Sequence, residues 1–239
     1  SFMAGVRVGS ADKGFTYSFD GLLTIKTSPM AFRIDVKAWL LTNNHSGDGQ
    51  LHGFIQYASH CFDAGLSGEF HALNNAVWVK APSGACSIHF GPGSWHIYMG
   101  QNHDGLRLQA HIVVVNAQGY MMLDSHGFQV GGLLSSHLHY GGSLWGFGAH
   151  CNVDFSAGMN LAITIPLHIK GEVFIDVSVD AGIDTPVGCL CVNPGVRLDL
   201  KGEAWPPSLC GTATIRFGRI CWCLLGCCHT YKTSVHMCV

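Results

Sequence analysis

Charge is scarce in this chain. Only 12% of its 239 residues are Asp, Glu, Lys or Arg, and the formal net charge is −2. The 13 Lys and Arg residues form no cluster, so the electrostatic footprint of a nucleic-acid-binding protein is missing. Long apolar runs are missing too; none approaches the ~18 residues of a membrane helix. No stretch carries apolar residues at i, i+3, i+4 and i+7, so almost no helix is expected. Catalytic signatures are also lacking. There is no Gly-x-Ser-x-Gly, no P-loop, no Rossmann glycine fingerprint and no His-Glu-x-x-His. These absences lean away from an enzyme. No basic stretch with an apolar run behind it precedes the first alternating segment, and the compartment is left open. Ser1-Phe2-Met3 reads as a cloning remnant, and the chain as a piece of a longer polypeptide.

What is present is alternation. Tyr17 and Phe19 alternate with Ser18 and Asp20, and Phe32, Ile34 and Val36 with Arg33, Asp35 and Lys37. Val173, Ile175, Val177 and Val179 alternate with Asp176, Ser178 and Asp180, and Val196, Leu198 and Leu200 with Arg197, Asp199 and Lys201. Successive side chains of a strand point to opposite faces, so each segment has one apolar and one polar face. The expected fold is all-β: a many-stranded antiparallel meander with hairpin connections, as an extended curved sheet, a sandwich or a barrel. The alternation continues across the middle without a linker, which predicts a single domain over residues 1–239. Within it, Val173, Ile175, Val177 and Val179 are expected to be buried, and Asp176 and Asp180 exposed.

Turn signals divide the strands. Asn43 to Gly49, Gly91-Pro92-Gly93-Ser94, Asn102-His103-Asp104-Gly105, Tyr140-Gly141-Gly142-Ser143, Asn193-Pro194-Gly195 and Pro206-Pro207 are the expected connections. A faint internal echo links His60-Cys61 with Ala64-Gly65-Leu66 and His150-Cys151 with Ala157-Gly158-Met159, although their spacings differ.

Two surpluses remain: 15 His and 11 Cys. The histidines fall mostly on polar strand faces, as ordinary polar strand residues, as metal ligands or as a pH-responsive surface. His137 and His139 project the same way from one strand, and two imidazoles alone hold a divalent ion weakly. A third ligand from a neighbouring strand is needed, and His111 is the candidate. The metal set read from the sequence is therefore His137, His139 and His111, with zinc or copper as the ion. The cysteines gather toward the C-terminus, including Cys189, Cys191, Cys210, Cys221, Cys223, Cys227, Cys228 and Cys238. Their one-residue spacings do not match zinc modules, and three readings stand: cross-strand disulfides, small buried hydrophobes, or a thiolate–metal cluster.

The functional expectation is a non-catalytic structural or interaction β-module within a larger or self-associating assembly. Its partners would be copies of itself or adjacent segments of a parent chain. The apolar strand faces Trp95, Ile97, Met99 and Trp145, Phe147, Ala149 support it. The rival expectations are a His/Cys metal-binding protein or metalloenzyme and, further off, a membrane β-barrel in contact with lipid.

Overall fold

A computed structural model describes residues 1–13, 16–42, 50–102, 105–144, 147–185, 188–204, 207–217, 221–222 and 232–238. It is 83% strand with no helix, and its strands pair antiparallel in a meander. No helix among the described residues is long and apolar enough to cross a membrane. The chain forms two compact units, Ser1–Ile112 with Gln118–Val130 and Val113–Ala117 with Gly131–Val239.

The first unit is built from β1 (Phe2–Gly9), β2 (Tyr17–Thr27), β3 (Met30–Leu40), β4 (Leu51–Ala58), β5 (Cys61–Ala72), β6 (Val77–Gly91), β7 (Ser94–Met99), β8 (Leu108–Ile112) and, from Gln118 onward, β9 (Val115–Asp124). Strands β1 to β6 pair in chain order. The long β6 then serves two partners, β7 along Cys86 to Gly91 and β8 along Val77 to Lys80. A bulge between Leu66 and Gly68 lets β5 follow β6 through this change. Gly68 sits there at φ +153°, where a Cβ would lie 2.2 Å from the Gln50 carbonyl oxygen. That carbonyl accepts the Glu69 N–H. Gly68→Ala should therefore lower the stability of the unit by about 1–3 kcal/mol. Urea denaturation of both proteins checks this, and an unchanged midpoint would contradict it.

In the second unit the elements are β10 (Gly127–Leu144), β11 (Phe147–Thr164), β12 (His168–Thr185), β13 (Gly188–Val192), β14 (Pro194–Ala204), β15 (Pro207–Phe217), β16 (Cys221–Trp222) and β17 (Lys232–Cys238). Strand β11 pairs with β12 over 17 residue pairs, from Thr164↔His168 to Gly148↔Asp184. Strands β14, β15 and β17 then add in order beside β12.

One of the expected turns is a turn. Gly91 pairs with Ser94, so Pro92 and Gly93 close a two-residue hairpin, with Gly93 at φ +83°. Two others are not. Strand β10 runs on through Gly141 and Gly142 to Leu144, and neither glycine has a positive φ. Contacts of His137 with Asp154 and His139 with Asn152 set the register of this hairpin. The longer strands gain cross-strand pairs that a turn at Gly141-Gly142 would forfeit. Asn193-Pro194-Gly195 is likewise not a hairpin. Ala181↔Val192 and Ser178↔Gly195 belong to one register along β12, interrupted at Asn193 and Pro194. The expected loop over residues 43–49 lies outside the described residues, as do residues 103–104 and Pro206.

Facing follows the alternation, but burial does not. Val173 and Ile175 stand on the face opposite Asp176, as expected, yet Val173 is 48% and Ile175 42% exposed. The Asp176 side chain is only 19% exposed, beneath Arg197 and Arg216. Val177 and Val179 are half-buried and so is Asp180, so the expected contrast of a buried valine face and exposed carboxylates does not hold. The reason is layering. Among the described residues of this unit little packs over Val173 and Ile175, whereas long arginines lie across the polar face. Buried hydrophobic side chains are few: Ala38, Trp39, Ala85, Tyr120 and Met122. Arg107 and Asn102 lie against part of this small core. Arg107 lies over the Tyr120 ring at 5.6 Å, and the Asn102 N–H points to Met122 Sδ.

The internal echo has a structural counterpart. The Phe54 ring lies where a Cβ on Gly65 would be, and the Phe174 ring where one on Gly158 would be. Arg33 stacks over Phe54 at 4.6 Å and binds Asp35; Arg197 stacks over Phe174 at 5.4 Å and binds Asp199. Each unit thus carries an arginine over a phenylalanine over a glycine. The strands supplying them follow opposite chain orders, β3, β4, β5 and β14, β12, β11, so this is no simple tandem copy.

Candidate functional site

Register converts the alternation into rows running across the strands. In the first unit one polar row takes one residue from each of β2 to β7 and from β9: Thr24, Arg33, Gln56, Asp63, His89, His96 and Asp124. Neighbours in such a row are about 5 Å apart, within reach of a hydrogen bond or ring stacking. His89 Nδ1 lies 2.7 Å from Asp63 Oδ1, and the His89 and His96 rings stack at 5.5 Å. His96 stacks in turn on Tyr98 at 4.2 Å and places Nε2 3.1 Å from Ser87 Oγ. Tyr98 donates its hydroxyl to Asp124 at 2.8 Å.

This row has a defined electrostatic character. Burial, and then the charge of neighbouring His89, hold His96 below its ordinary value; Asp124 and Asp63 oppose the shift without reversing it. Burial and the bond to Asp124 push the Tyr98 hydroxyl up to about 12. Hydrogen bonds from Arg33 hold Asp35 low against its own desolvation. Desolvation alone would raise Asp124, but the His126 N–H and the Tyr98 hydroxyl outweigh it and keep it low. A base whose folded value is depressed favours the neutral form, so its contribution is present above about pH 6.5 and fades as pH falls. The depressed carboxylates lose theirs at still lower pH. The first unit should therefore weaken between pH 7.5 and 5.5, and His96→Gln, which can still meet Ser87, should flatten that dependence. Urea midpoints at the two pH values test it, and a wild type indifferent to pH in this window would refute it.

The polar rows are satisfied from within, whereas the apolar rows of the same unit are not. Leu23, Ile34, Ile55, Ala64, Ile88, Ile97 and Leu123 form one row across the strands. Ile34, Ile55, Leu66, Met99 and Trp95 on this face are all exposed. A shallow apolar groove of about 440 Å³ runs between Ile34, Val36, Ile55, Leu66, Ile97 and Met99. In the second unit the rows Met159–Val173–Leu200–Gly211–Met237 and Ala157–Ile175–Leu198–Ala213–Val235 repeat the pattern. Among their members, Met159, Val173, Leu200, Ile175, Leu198, Val235 and Met237 are exposed. Of the strand faces named from sequence, Trp95, Met99 and Phe147 are exposed, and Trp145 lies outside the described residues.

The metal residues read from the sequence fall in both units. His137 faces Asp154, with Nδ1 2.6 Å from Oδ1, and His139 Nδ1 contacts Asn152 Oδ1. His137 and Asp154 line a polar hollow with Asp176, Ser178 and Arg216, and His139 is not part of its lining. His111 belongs to the first unit, where it stacks on Trp78 at 5.7 Å. Among the described residues, one group of three ligand-bearing side chains has its donor atoms within 4.8 Å of one another: Cys210, His236 and Cys238. Cys210 and Cys238 stand opposite each other on β15 and β17 and form a disulfide. Sequence reasoning singled out both cysteines but not His236. The His-x-Cys spacing on one strand, which sets both side chains on one face, is the signal that could have found it.

No family profile, curated protein or solved structure matches this chain.

Proposed function

We propose that this chain is a non-catalytic structural β-module that associates with further copies of itself through the apolar faces of its sheets. The observation that carries the reading is the uncovered apolar surface. The chain exposes 15,256 Å². Two independent compact domains of about half its mass would together expose about 12,500 Å². The excess is larger than the ~1,600 Å² total that a stable protein interface buries. A second copy suits this surface because aliphatic rows at strand spacing interdigitate best with rows of the same spacing, as when two sheets pack about 10 Å apart. The polar faces support the same orientation. Their arginines, carboxylates and imidazoles already pair with one another and can remain in water. A weak net charge of −2 offers little repulsion between copies.

Sedimentation velocity over a wide concentration range, without detergent, tests the proposal. Dimers or larger species that dissociate on dilution are expected. A chain that stays monomeric throughout, and instead co-sediments with neutral phosphatidylcholine vesicles, would give the apolar face to lipid and overturn the reading. A monomer that binds no vesicles would overturn it as well.

A second reading, metal binding, is favoured by one observation: the juxtaposed donor atoms of Cys210, His236 and Cys238.

A further inference from the structure

We propose that Cys210, His236 and Cys238 form a redox-gated site for a thiophilic divalent ion, zinc(II), which is closed by the disulfide and opened by its reduction. The three side chains project from one face of the β15–β17 pair. Cys210 lies directly across from Cys238 and Thr212 directly across from His236, with a Cα–Cα distance of 4.1 Å between the cysteines. Donor atoms that share a zinc ion lie about 3.3–3.8 Å apart, given bonds near 2.0–2.3 Å. His236 Nε2 already lies 3.3 Å from Cys238 Sγ. Two thiolates freed on facing strands can separate to that spacing by side-chain rotation, without moving the backbone.

The imidazole is oriented for this role. Its Nδ1 lies 2.8 Å from Thr212 Oγ1. With Nδ1–H donated to that hydroxyl, the Nε2 lone pair is directed at the sulfurs, which is how the outer hydrogen bond of a metal-ligating histidine fixes its tautomer. The three donors leave a fourth position open, and the exposure of His236 and Cys238 puts that position within reach of water.

The chemistry balances as a thiol–disulfide exchange followed by ligation. Two molecules of a monothiol reductant transfer two electrons and two protons. The Cys210–Cys238 bond breaks to give two thiols, and the reductant leaves as its own disulfide. Zinc then displaces one proton from each thiol and binds the neutral imidazole. Oxidation and metal loading therefore compete for the same sulfur atoms. In an oxidising compartment the pair crosslinks β15 to β17; in a reducing one it becomes a ligand set.

The test uses the whole chain, reduced anaerobically with excess dithiothreitol, desalted, and exposed to zinc alone. Alkylation by iodoacetamide is followed by peptide mass analysis, which reports on each cysteine separately. Zinc should slow alkylation of Cys210 and Cys238 about tenfold or more, and His236→Gln should abolish most of that protection while leaving both thiols titratable. Competition with a chromophoric chelator should show that Cys210→Ser/Cys238→Ser takes up one zinc equivalent fewer than the reduced wild type. Alkylation of Cys210 and Cys238 at the same rate with and without zinc would overturn the proposal. So would equal protection in wild type and His236→Gln. If the double variant fails to fold, the His236→Gln comparison decides alone.

Discussion

Ile175→Lys should turn a self-associating chain into a monomer without unfolding it. Ile175 is 42% exposed on the uncovered face, so in the free chain the lysine ammonium can reach water along its own stem. In a sheet-on-sheet assembly the same position lies against apolar rows. An unpaired charge there costs at least about 3 kcal/mol, which is about 100-fold or more in the dissociation constant. Ser156→Lys is the matched control. It adds the same charge on the opposite face of the sheet, directly across from Asp176, and should leave association unchanged. Sedimentation velocity and far-ultraviolet circular dichroism of the two variants report association and folding separately. Unfolding by Ile175→Lys would mean that the valine face is buried within the chain. Equal association of both variants would remove this face from the interface.

Loss of the Cys210–Cys238 crosslink should lower the stability of the second unit by about 3–4 kcal/mol. The two residues are 28 apart in sequence, and closing a loop of that length in the unfolded chain removes about that much conformational entropy in the chain-entropy account. β17 depends on the link directly, because the crosslink fastens it to β15 at the end of seven residue pairs. Urea denaturation of wild type and Cys210→Ser/Cys238→Ser, both under non-reducing conditions, measures the difference. Limited proteolysis should show cleavage near β17 in the variant first. Equal midpoints would mean that the disulfide constrains nothing that unfolding releases.

Much of the fold is legible in the residues because the period of a strand is local. Arg33 and Asp35, or Val173 and Asp176, have their faces assigned by chain geometry alone, whatever the partner strand. Hairpins marked by backbone chemistry are equally readable: Pro92-Gly93 is a turn because proline presets φ and Gly93 tolerates φ +83°. The failures share one cause. Gly141-Gly142 and Gly195 carry turn chemistry yet lie within strands, because residues of β11 and of β12 are positioned to pair with them. Turn propensity amounts to about a kilocalorie, and a few extra cross-strand pairs outweigh it.

The candidate sites divide along the same line. Polar faces rich in imidazole follow from the alternation. That His89 meets His96 follows from the Pro92-Gly93 hairpin, but that His89 meets Asp63, or Cys210 meets His236 and Cys238, depends on register between strands more than 20 residues apart. His111 and His137 share a polar-face character in sequence, but the structure gives them different units and different partners, Trp78 and Asp154.

The sequence by itself determined the antiparallel all-β class, the absence of helix and the assignment of each side chain to a face. All three follow from a two-residue period and backbone preferences that act over a few neighbours. Only the tertiary structure decided the rows, the glycines beneath Phe54 and Phe174, the joined cysteines and the uncovered apolar face. Each depends on which strands pair, in which register and with what layered above them, and those are energies of non-local contact that no short segment contains.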